Sequence, residues 1–171
     1  MTEPKGHLDF HIRKAAESDI DAITEIYNEA VRTTTATFDL ETRSLADRRQ
    51  WFAAHDARHP VLVAVAQNRV VGWACISAWS DKRGYDDTAE LTFYVHSKFR
   101  GRGIGRALND AVIAAARRLR FHTLIARVAS ESDESLHLME QAGFFRVGTL
   151  REVGRKFDRT LDVHILQKIM G

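Results

Sequence analysis

A glycine-rich loop between a strand and a helix constrains the fold of this 171-residue chain more than any other feature. Residues 91–95 (Leu-Thr-Phe-Tyr-Val) have the composition of a β-strand, and residues 100–107 follow as Arg-Gly-Arg-Gly-Ile-Gly-Arg-Ala. Beyond this loop, apolar residues recur with helical spacing. Glycines let several backbone N–H groups converge, and a helix N-terminus adds partial positive charge. The junction therefore predicts an anion cradle, and the expected guest is a diphosphate.

The spacing of the glycines excludes two common phosphate-binding loops. A P-loop ends in Gly-Lys-Ser or Gly-Lys-Thr, and the sequence contains neither. A dinucleotide fingerprint that began at Gly101 would need glycine at Arg106. One that began at Gly103 would need glycine or alanine at Leu108. The pattern that remains is Arg-x-x-Gly-x-Gly over residues 100–105, with a plain strand–helix turn and solvated arginines as the alternative.

The composition indicates a single globular domain. Hydrophobic residues make up 44% of the chain and charged residues 28%, so a core can form. The formal net charge of +2 gives no reason to expect a membrane or a nucleic acid as partner. Basic residues cluster from Lys98 to Arg120, but without the interleaved aromatic residues of a base-stacking surface. We therefore predict no nucleic-acid binding.

Cysteine and histidine usage favours a reducing compartment and no metal. Cys75 is the single cysteine and lies among apolar neighbours, so we expect a buried, inert thiol. The eight histidines show no metal-ligand spacing. Residues 1–10 contain no apolar signal region, and no segment of the chain is long enough to span a bilayer. The expected location is the cytoplasm.

The pattern along the chain predicts an α/β (α+β) fold. We expect a flexible leader over residues 1–9 and one domain over residues 10–171, without a linker or repeat. Ser18 and Asp21 predict the start of a first helix, and Ser44 and Asp47 predict the start of a second. A third helix follows the cradle, and a fourth ends at Gly143. About seven strands are expected, at residues 10–13, 61–66, 70–78, 88–95, 124–128, 144–153 and 161–170, in a mixed, mostly antiparallel sheet with helices on both faces.

Several stretches in this order resemble the GCN5-related N-acetyltransferase (GNAT) family, over essentially the whole chain. The details are similar to the phosphinothricin and methionine sulfoximine N-acetyltransferases. The relevant stretches are residues 100–105, Thr37-Phe38, Thr88-Ala89-Glu90, Gly143-Phe144, residues 151–157 (Arg-Glu-Val-Gly-Arg-Lys-Phe) and Leu161-Asp162-Val163.

The resemblance implies transfer of acetyl from acetyl-CoA to the primary amine of a small amino-acid-like molecule. The amine attacks the thioester directly in a ternary complex, so the protein need not supply a nucleophile. Relatives of this type form homodimers, and we expect one here. Two alternatives stay open: the acceptor is a protein N-terminus or lysine, or the chain is a non-catalytic acetyl-CoA sensor.

The resemblance also implies which residues bind the cosubstrate. The strand before the cradle is expected to separate from its neighbour at a β-bulge and to meet the pantetheine arm. The N–H of Val95 would then face the thioester carbonyl, and Ser132 would contact the same arm. The full set of predicted cosubstrate residues is Phe93, Tyr94, Val95, Arg100, Gly101, Arg102, Gly103, Ile104, Gly105, Arg106 and Ser132.

For proton transfer, the resemblance points to Glu90 as the general base, acting through a water. The alternative is a structural glutamate paired with an arginine. The position where the family usually carries a tyrosine or histidine near the leaving thiolate holds Met139, which cannot donate a proton. His137, two residues earlier, is about 200° away around the helix and should face elsewhere.

The acceptor pocket is expected to combine apolar walls with a cation for a substrate carboxylate. Phe38 and Tyr85 are the predicted walls, and simple solvation is the alternative for each charged residue. The family's usual aromatic residue before position 161 is replaced by Thr160, and Leu161 stands where some relatives have histidine, so the pocket can differ. The predicted substrate residues are Phe38, Lys82, Arg83, Gly84, Tyr85 and Lys156.

Overall fold

The computed structural model describes residues 8–171 and confirms the expected fold class. One seven-stranded sheet has the order β1-β2-β3-β4-β5-β7-β6, with every neighbouring pair antiparallel except β4–β5. The strands are β1 Phe10–Lys14, β2 Val61–Ala66, β3 Arg69–Ala78, β4 Thr88–Val95, β5 Thr123–Ala129, β6 Phe145–Lys156 and β7 Arg159–Ile169. The helices are α1 Ile20–Thr33, α2 Leu45–Ala53, α3 Ile104–Arg118 and α4 Asp133–Gln141.

Both faces of the central strands are buried, which explains their nearly continuous apolar sequences. Successive side chains of a strand point to opposite faces, so β3 contributes to two cores. Trp73 and Cys75 belong to the cluster under α1 and α2. Ala74 and Ile76 belong to the larger cluster under α3 and α4.

The start of the first helix differs from the prediction. Ser18 and Asp21 do not form a capping pair; a short 3-10 turn at Glu17–Asp19 precedes α1. The Asp19 carboxylate accepts a hydrogen bond from the N–H of Ala16 at 2.8 Å and binds the Arg13 guanidinium at 2.7 and 2.9 Å. An ion pair to β1 therefore fixes this helix start, and no local sequence pattern shows it.

The remaining boundaries agree closely with the sequence. The N–H of Asp47 donates to the Ser44 hydroxyl at 3.1 Å, so the predicted cap of α2 is confirmed. Of the leader expected over residues 1–9, residues 1–7 lie outside the described residues, and Leu8 packs against the core. Within residues 8–171, the helices are all too short or too polar to cross a lipid bilayer.

A gap opens in the sheet between β4 and β5. The two strands pair only from Thr88 to Glu90, opposite Thr123 to Ile125. Beyond Glu90, β4 keeps an unbroken register with β3 as far as Val95, while β5 continues alongside β7. The expected separation of the strands is therefore present. The β-bulge expected to cause it is absent from β4, whose register with β3 has no shift.

Candidate active site

A cavity of about 710 Å³ occupies the gap between the diverging strands. Small-molecule sites have volumes of roughly 300–1,000 Å³. The cavity extends from the face covered by α1 and α2 to the face covered by α4. Cross-strand neighbours of β3 and β4 form part of its wall, namely Trp73, Cys75, Ser77, Glu90, Thr92 and Tyr94.

The glycine-rich loop has the geometry of an anion cradle. Gly101 and Gly103 have φ angles of 71° and 81°, a left-handed conformation that favours glycine. α3 begins directly after Gly103, and its first backbone hydrogen bond runs from the N–H of Ala107 to the carbonyl of Gly103 at 3.0 Å. Within residues 8–171, the N–H groups of residues 101–106 have no hydrogen-bond acceptor. Six free donors at a helix N-terminus suit a diphosphate.

The arginines of the loop have different environments. The Nε of Arg100 donates to the carbonyl of Val95 at 3.1 Å and so ties the loop to the end of β4. Arg102 lies over the ring of Phe99 at 6.0 Å, and its buried Nε has no partner among residues 8–171. Arg106 is exposed on the first turn of α3. Only part of this positive charge is therefore free to attract an anion.

Backbone alternation directs the N–H of Val95 into the gap. The N–H of the next residue, His96, donates to the carbonyl of Val71 in β3 at 2.9 Å. Because the polar groups of successive strand residues point to opposite sides, those of Phe93 and Val95 point away from β3. The carbonyl of Val95 that accepts from Arg100 lies on this side. The polar groups of Tyr94 point toward β3 instead.

Glu90 lies at the point where the strands part, and it is held by an ion pair. Its two carboxylate oxygens accept hydrogen bonds from Nε and Nη2 of Arg127 at 2.6 and 2.9 Å. This hydrogen bond raises the pKa of the Arg127 guanidinium above its ordinary value. The Glu90 side chain is 18% exposed and lines the cavity. The structure thus gives Glu90 both the position expected of a base and the arginine partner expected of a structural glutamate.

Ser132, at the N-terminal end of α4, and Met139 within this helix line the cavity. Ser132 directly precedes the helix, and its hydroxyl does not cap it. Met139 is buried against the core, whereas His137 is exposed and lies 2.9 Å from the amide of Gln141. His137 therefore faces away from the cavity, as the helical spacing predicts. The described lining contains no histidine.

Two of the predicted substrate residues lie together at one wall. Phe38 lines the cavity, and a Cβ added to Gly154 would collide with its ring. The Nζ of Lys156 donates to the carbonyl of Thr37 at 2.8 Å, and burial lowers the pKa of this lysine. Lys156 therefore fixes the segment that carries Phe38, and its ammonium group is turned toward that backbone.

The other predicted substrate residues, Lys82, Arg83, Gly84 and Tyr85, do not line the cavity. They belong to the connection that enters β4, whereas the gap opens only beyond Glu90. The Arg83 side chain is 97% exposed and Tyr85 is 47% exposed. Residues 82–85 lie outside the cavity of this chain because they precede the paired end of β4, whereas the cavity is at its diverging end.

Comparison with known families assigns the fold and its cradle to one enzyme family. Residues 21–144 match the sequence model of the acetyltransferase (GNAT) family. The chain belongs to this family. An L-amino acid N-acyltransferase of Escherichia coli, MnaT, is 38% identical over 157 residues, which are 91% of each chain. An L-methionine sulfoximine/L-methionine sulfone acetyltransferase of Pseudomonas paraeruginosa is 37% identical over 91% of this chain and 92% of its own.

Solved acetyltransferase structures superpose closely on this one. A phosphinothricin acetyltransferase of Sinorhizobium meliloti in complex with acetyl-CoA has a TM-score of 0.92 at 30% identity, over 95% of this chain and 89% of its own. A ribosomal-protein-alanine N-acetyltransferase of Brucella melitensis has a TM-score of 0.90 at 39% identity, over 93% and 99%. The protein is an acetyl-CoA-dependent N-acetyltransferase.

The cavity of the acetyltransferase also contains a cluster that sequence reasoning missed. Arg48 of α2 is 5% exposed, and its guanidinium carbon lies 4.2 Å from the ring centroid of Tyr27 and 4.7 Å from that of Trp51. The Tyr27 hydroxyl donates to Asp39 at 2.6 Å. Arg48 and Trp51 are three residues apart and so share a helix face. This spacing predicts that the two side chains are neighbours, but it does not show that their helix face is buried.

The thiol of Cys75 is a poor nucleophile in this acetyltransferase. The residue is buried, and burial raises its pKa to about 12. The expectation of an inert thiol agrees with this environment. Covalent transfer through Cys75 therefore has no support.

Proposed function

We propose that this acetyltransferase acetylates the primary amine of a small amino-acid-like molecule of the phosphinothricin and methionine sulfoximine type. The observation that carries the proposal is the 710 Å³ cavity, which adjoins the exposed end of β4 and has aromatic walls. A volume of this size suits an amino acid beside the thioester end of acetyl-CoA. The relatives named for L-amino acid, methionine sulfoximine and methionine sulfone substrates support the same class.

The cosubstrate supplies the acetyl thioester, and the chain's own groups orient it. The free N–H groups of residues 101–106 hold the diphosphate, while Phe93, Val95 and Ser132 contact the pantetheine arm. The residues proposed for this role remain Phe93, Tyr94, Val95, Arg100, Gly101, Arg102, Gly103, Ile104, Gly105, Arg106 and Ser132. Tyr94 acts through its side chain, because its backbone groups point toward β3.

Direct attack requires a proton acceptor for the amine and a hydrogen-bond donor that stabilises the negative charge developing on the acetyl oxygen. Glu90 accepts a proton from the substrate ammonium through a water. A carboxylate has about four acceptor positions, and Arg127 uses two. The amine nitrogen then bonds to the acetyl carbon, and the carbon–sulfur bond breaks with its electron pair on sulfur. The Val95 N–H stabilises the acetyl oxygen, a contribution of roughly 3–4 kcal/mol for such a donor. The nitrogen then releases its second proton, and water carries it to the thiolate, because Met139 cannot donate one.

Steady-state thiol release with a panel of amines tests the proposal. We expect turnover with L-methionine sulfone, L-methionine sulfoximine or phosphinothricin, and calorimetric binding of acetyl-CoA in the absence of an amine. Common L-amino acids complete the panel. Binding of acetyl-CoA without turnover of any amine would indicate a non-catalytic acetyl-CoA sensor and would contradict the proposed activity.

The second candidate acceptor is a protein N-terminus. The solved structure named as a ribosomal-protein-alanine N-acetyltransferase, at 39% identity, favours it. A short peptide with N-terminal alanine therefore belongs in the same panel. A higher kcat/KM for this peptide than for every free amino acid would replace the small-molecule proposal.

We also propose that the enzyme is a homodimer and works in the cytoplasm. The edge strand β6, the neighbouring β7 and the turn between them expose apolar side chains that a partner would cover, namely Phe145, Val147, Leu150, Val153, Phe157 and Ile169. Light scattering coupled to gel filtration measures the mass directly. A Val147→Lys substitution should shift the dimer toward monomer. A monomeric wild type at micromolar concentration would contradict the proposal.

A further inference from the structure

The cavity wall formed by α1 and α2 contains a buried cation that forms no ion pair with any carboxylate in the described part of the chain. Three rings surround the Arg48 guanidinium carbon, at 4.2 Å from Tyr27, 4.7 Å from Trp51 and 5.8 Å from Trp73. The Nε atom is buried and has no hydrogen-bond partner among the described residues. Within residues 8–171, no acceptor binds any nitrogen of this side chain.

The carboxylates around Arg48 are occupied by other groups. Asp39 binds Arg43 through two hydrogen bonds of 2.8 Å and accepts the Tyr27 hydroxyl at 2.6 Å. Asp47 accepts from the backbone and hydroxyl of Ser44 at 3.1 and 2.7 Å. Glu90 is paired with Arg127. Aromatic faces offset part of the cost of burying a guanidinium, but they leave its N–H edges unsatisfied.

Arg48 differs in this respect from the other arginines that line the cavity. Those are Arg43 and Arg127, and each already holds a carboxylate with two hydrogen bonds. The cations predicted from the sequence are not available to bind a substrate carboxylate in this cavity. Lys82 and Arg83 lie outside it, and Lys156 donates to the carbonyl of Thr37. Arg48 is therefore the one of these three lining arginines that holds no carboxylate of residues 8–171.

We propose that Arg48 binds the carboxylate of the amine substrate and so selects amino acids over simple amines. This proposal rests on the proposed function, because it names what the same cavity recognises. The rings of Tyr27 and Trp51 fix the plane of the guanidinium, and its N–H edge is the part left to meet a ligand. A planar donor pair matches a carboxylate in two-pronged fashion. The anion also supplies the charge partner that the buried arginine lacks.

Two substrates that differ only in the carboxylate test the role. L-Methionine sulfone and its decarboxylated counterpart, 3-(methylsulfonyl)propylamine, carry the same side chain and a primary amine. We expect the wild type to prefer the amino acid. Arg48→Met should lower kcat/KM for methionine sulfone by roughly 10- to 100-fold, mainly through KM, which is the range for losing a hydrogen-bonded charge. The value for the decarboxylated amine should stay within about twofold, and Arg48→Lys should restore part of the preference.

Arg49→Met is the matched control. Arg49 is the next residue of α2, but it is exposed to solvent. The control should keep the wild-type preference. Equal losses for both substrates in Arg48→Met would overturn the proposal and leave Arg48 with a structural role in the aromatic cluster.

A titration of the wild-type protein decides the question if Arg48→Met does not fold. Trp51 and Trp73 lie next to Arg48, so their fluorescence should change saturably with methionine sulfone and much less with the decarboxylated amine. Indistinguishable titrations would overturn the proposal. Turnover of neither compound by the wild type would instead count against the proposed function, and the fluorescence difference would still decide the role of Arg48.

Discussion

Glu90 and Arg127 face each other across the point where β4 and β5 separate, joined by hydrogen bonds of 2.6 and 2.9 Å. The pair bridges the two strands just where their backbone hydrogen bonds end. It therefore links β4 to β5 at the end of their backbone pairing, and it also fixes a carboxylate at the wall of the cavity. A base and a structural bridge are compatible roles for one side chain, and they predict different kinetic behaviour.

Glu90→Gln should separate these two roles. If Glu90 accepts the amine proton, kcat falls roughly 10²- to 10⁴-fold near neutral pH, the usual contribution of general base catalysis. Raising the pH increases the fraction of unprotonated amine, so the deficit should shrink in alkaline solution. The Kd for acetyl-CoA, measured by calorimetry, should stay unchanged.

Arg127→Met is the companion variant for that measurement. It breaks the same ion pair but leaves the carboxylate in place, so we expect a smaller loss of kcat than in Glu90→Gln. Equal losses of kcat in the two variants, constant across pH, would mean that the ion pair has a structural role and that Glu90 is not the general base.

The conformation of Gly103 predicts a specific loss of cosubstrate binding. Its φ is 81°, and a Cβ added there would meet no atom within 4 Å. Gly103→Ala should therefore fold, at a cost of about 1 kcal/mol for a left-handed alanine. The added methyl group projects beside the free N–H groups, and we expect acetyl-CoA to bind about tenfold more weakly, or about 1.4 kcal/mol.

Gly84→Ala provides the control for the cradle variant. A Cβ at Gly84 also meets no atom within 4 Å, and this glycine does not have a left-handed φ. Calorimetry should give a wild-type Kd for this variant. An unchanged Kd for Gly103→Ala as well would show that the loop is not the diphosphate site.

Local patterns were sufficient for most of the fold. The apolar runs at β2 and β3 reflect burial on both faces, and buried positions select apolar residue types. The Ser44 cap and the glycines of the cradle are equally local, since each acts within a few residues. The start of α1 could not be predicted in this way, because Asp19 acts through Arg13 in a neighbouring strand.

The acceptor side of the site was harder to predict than the cosubstrate side. The cradle is a continuous segment, whereas the acceptor cavity is assembled from five or more separate elements. Arg48 is a charged residue on a helix with little amphipathic character, and only tertiary packing buries it under Tyr27 and Trp51. The loop that carries Arg83 has suitable chemistry, but its place in the chain keeps it outside the cavity.

Gly154→Ala should weaken substrate binding without touching the cosubstrate site. A methyl group at this position collides with the ring of Phe38, so the segment held by Lys156 and Thr37 must shift. We expect KM for the amine to rise roughly tenfold, equivalent to about 1.4 kcal/mol, with an unchanged Kd for acetyl-CoA. Gly148→Ala, on the same strand and open within 4 Å, is the control. A similar KM in both variants would show that Phe38 is not part of the acceptor wall.

The Arg13–Asp19 pair predicts how stability depends on acid. The hydrogen bond from Arg13 holds the pKa of Asp19 below its ordinary value, so the charged carboxylate stabilises the fold. This contribution is complete above the ordinary carboxyl pKa of about 4 and is lost as the pH falls through the lowered folded value. Asp19→Asn should cost roughly 1.5 kcal/mol at pH 7, the low end for a charged hydrogen bond, because the Arg13 side chain is 41% exposed.

Urea unfolding at pH 7 and at about pH 3 measures this contribution. The difference between Asp19→Asn and the wild type should be largest at pH 7 and should narrow in acid. Asp21→Asn is the control, because Asp21 is an exposed carboxylate in the first turn of α1. It should unfold like the wild type at both pH values. A constant difference between Asp19→Asn and the wild type would mean that Asp19 stabilises the helix start through its shape and hydrogen bonds rather than through its charge.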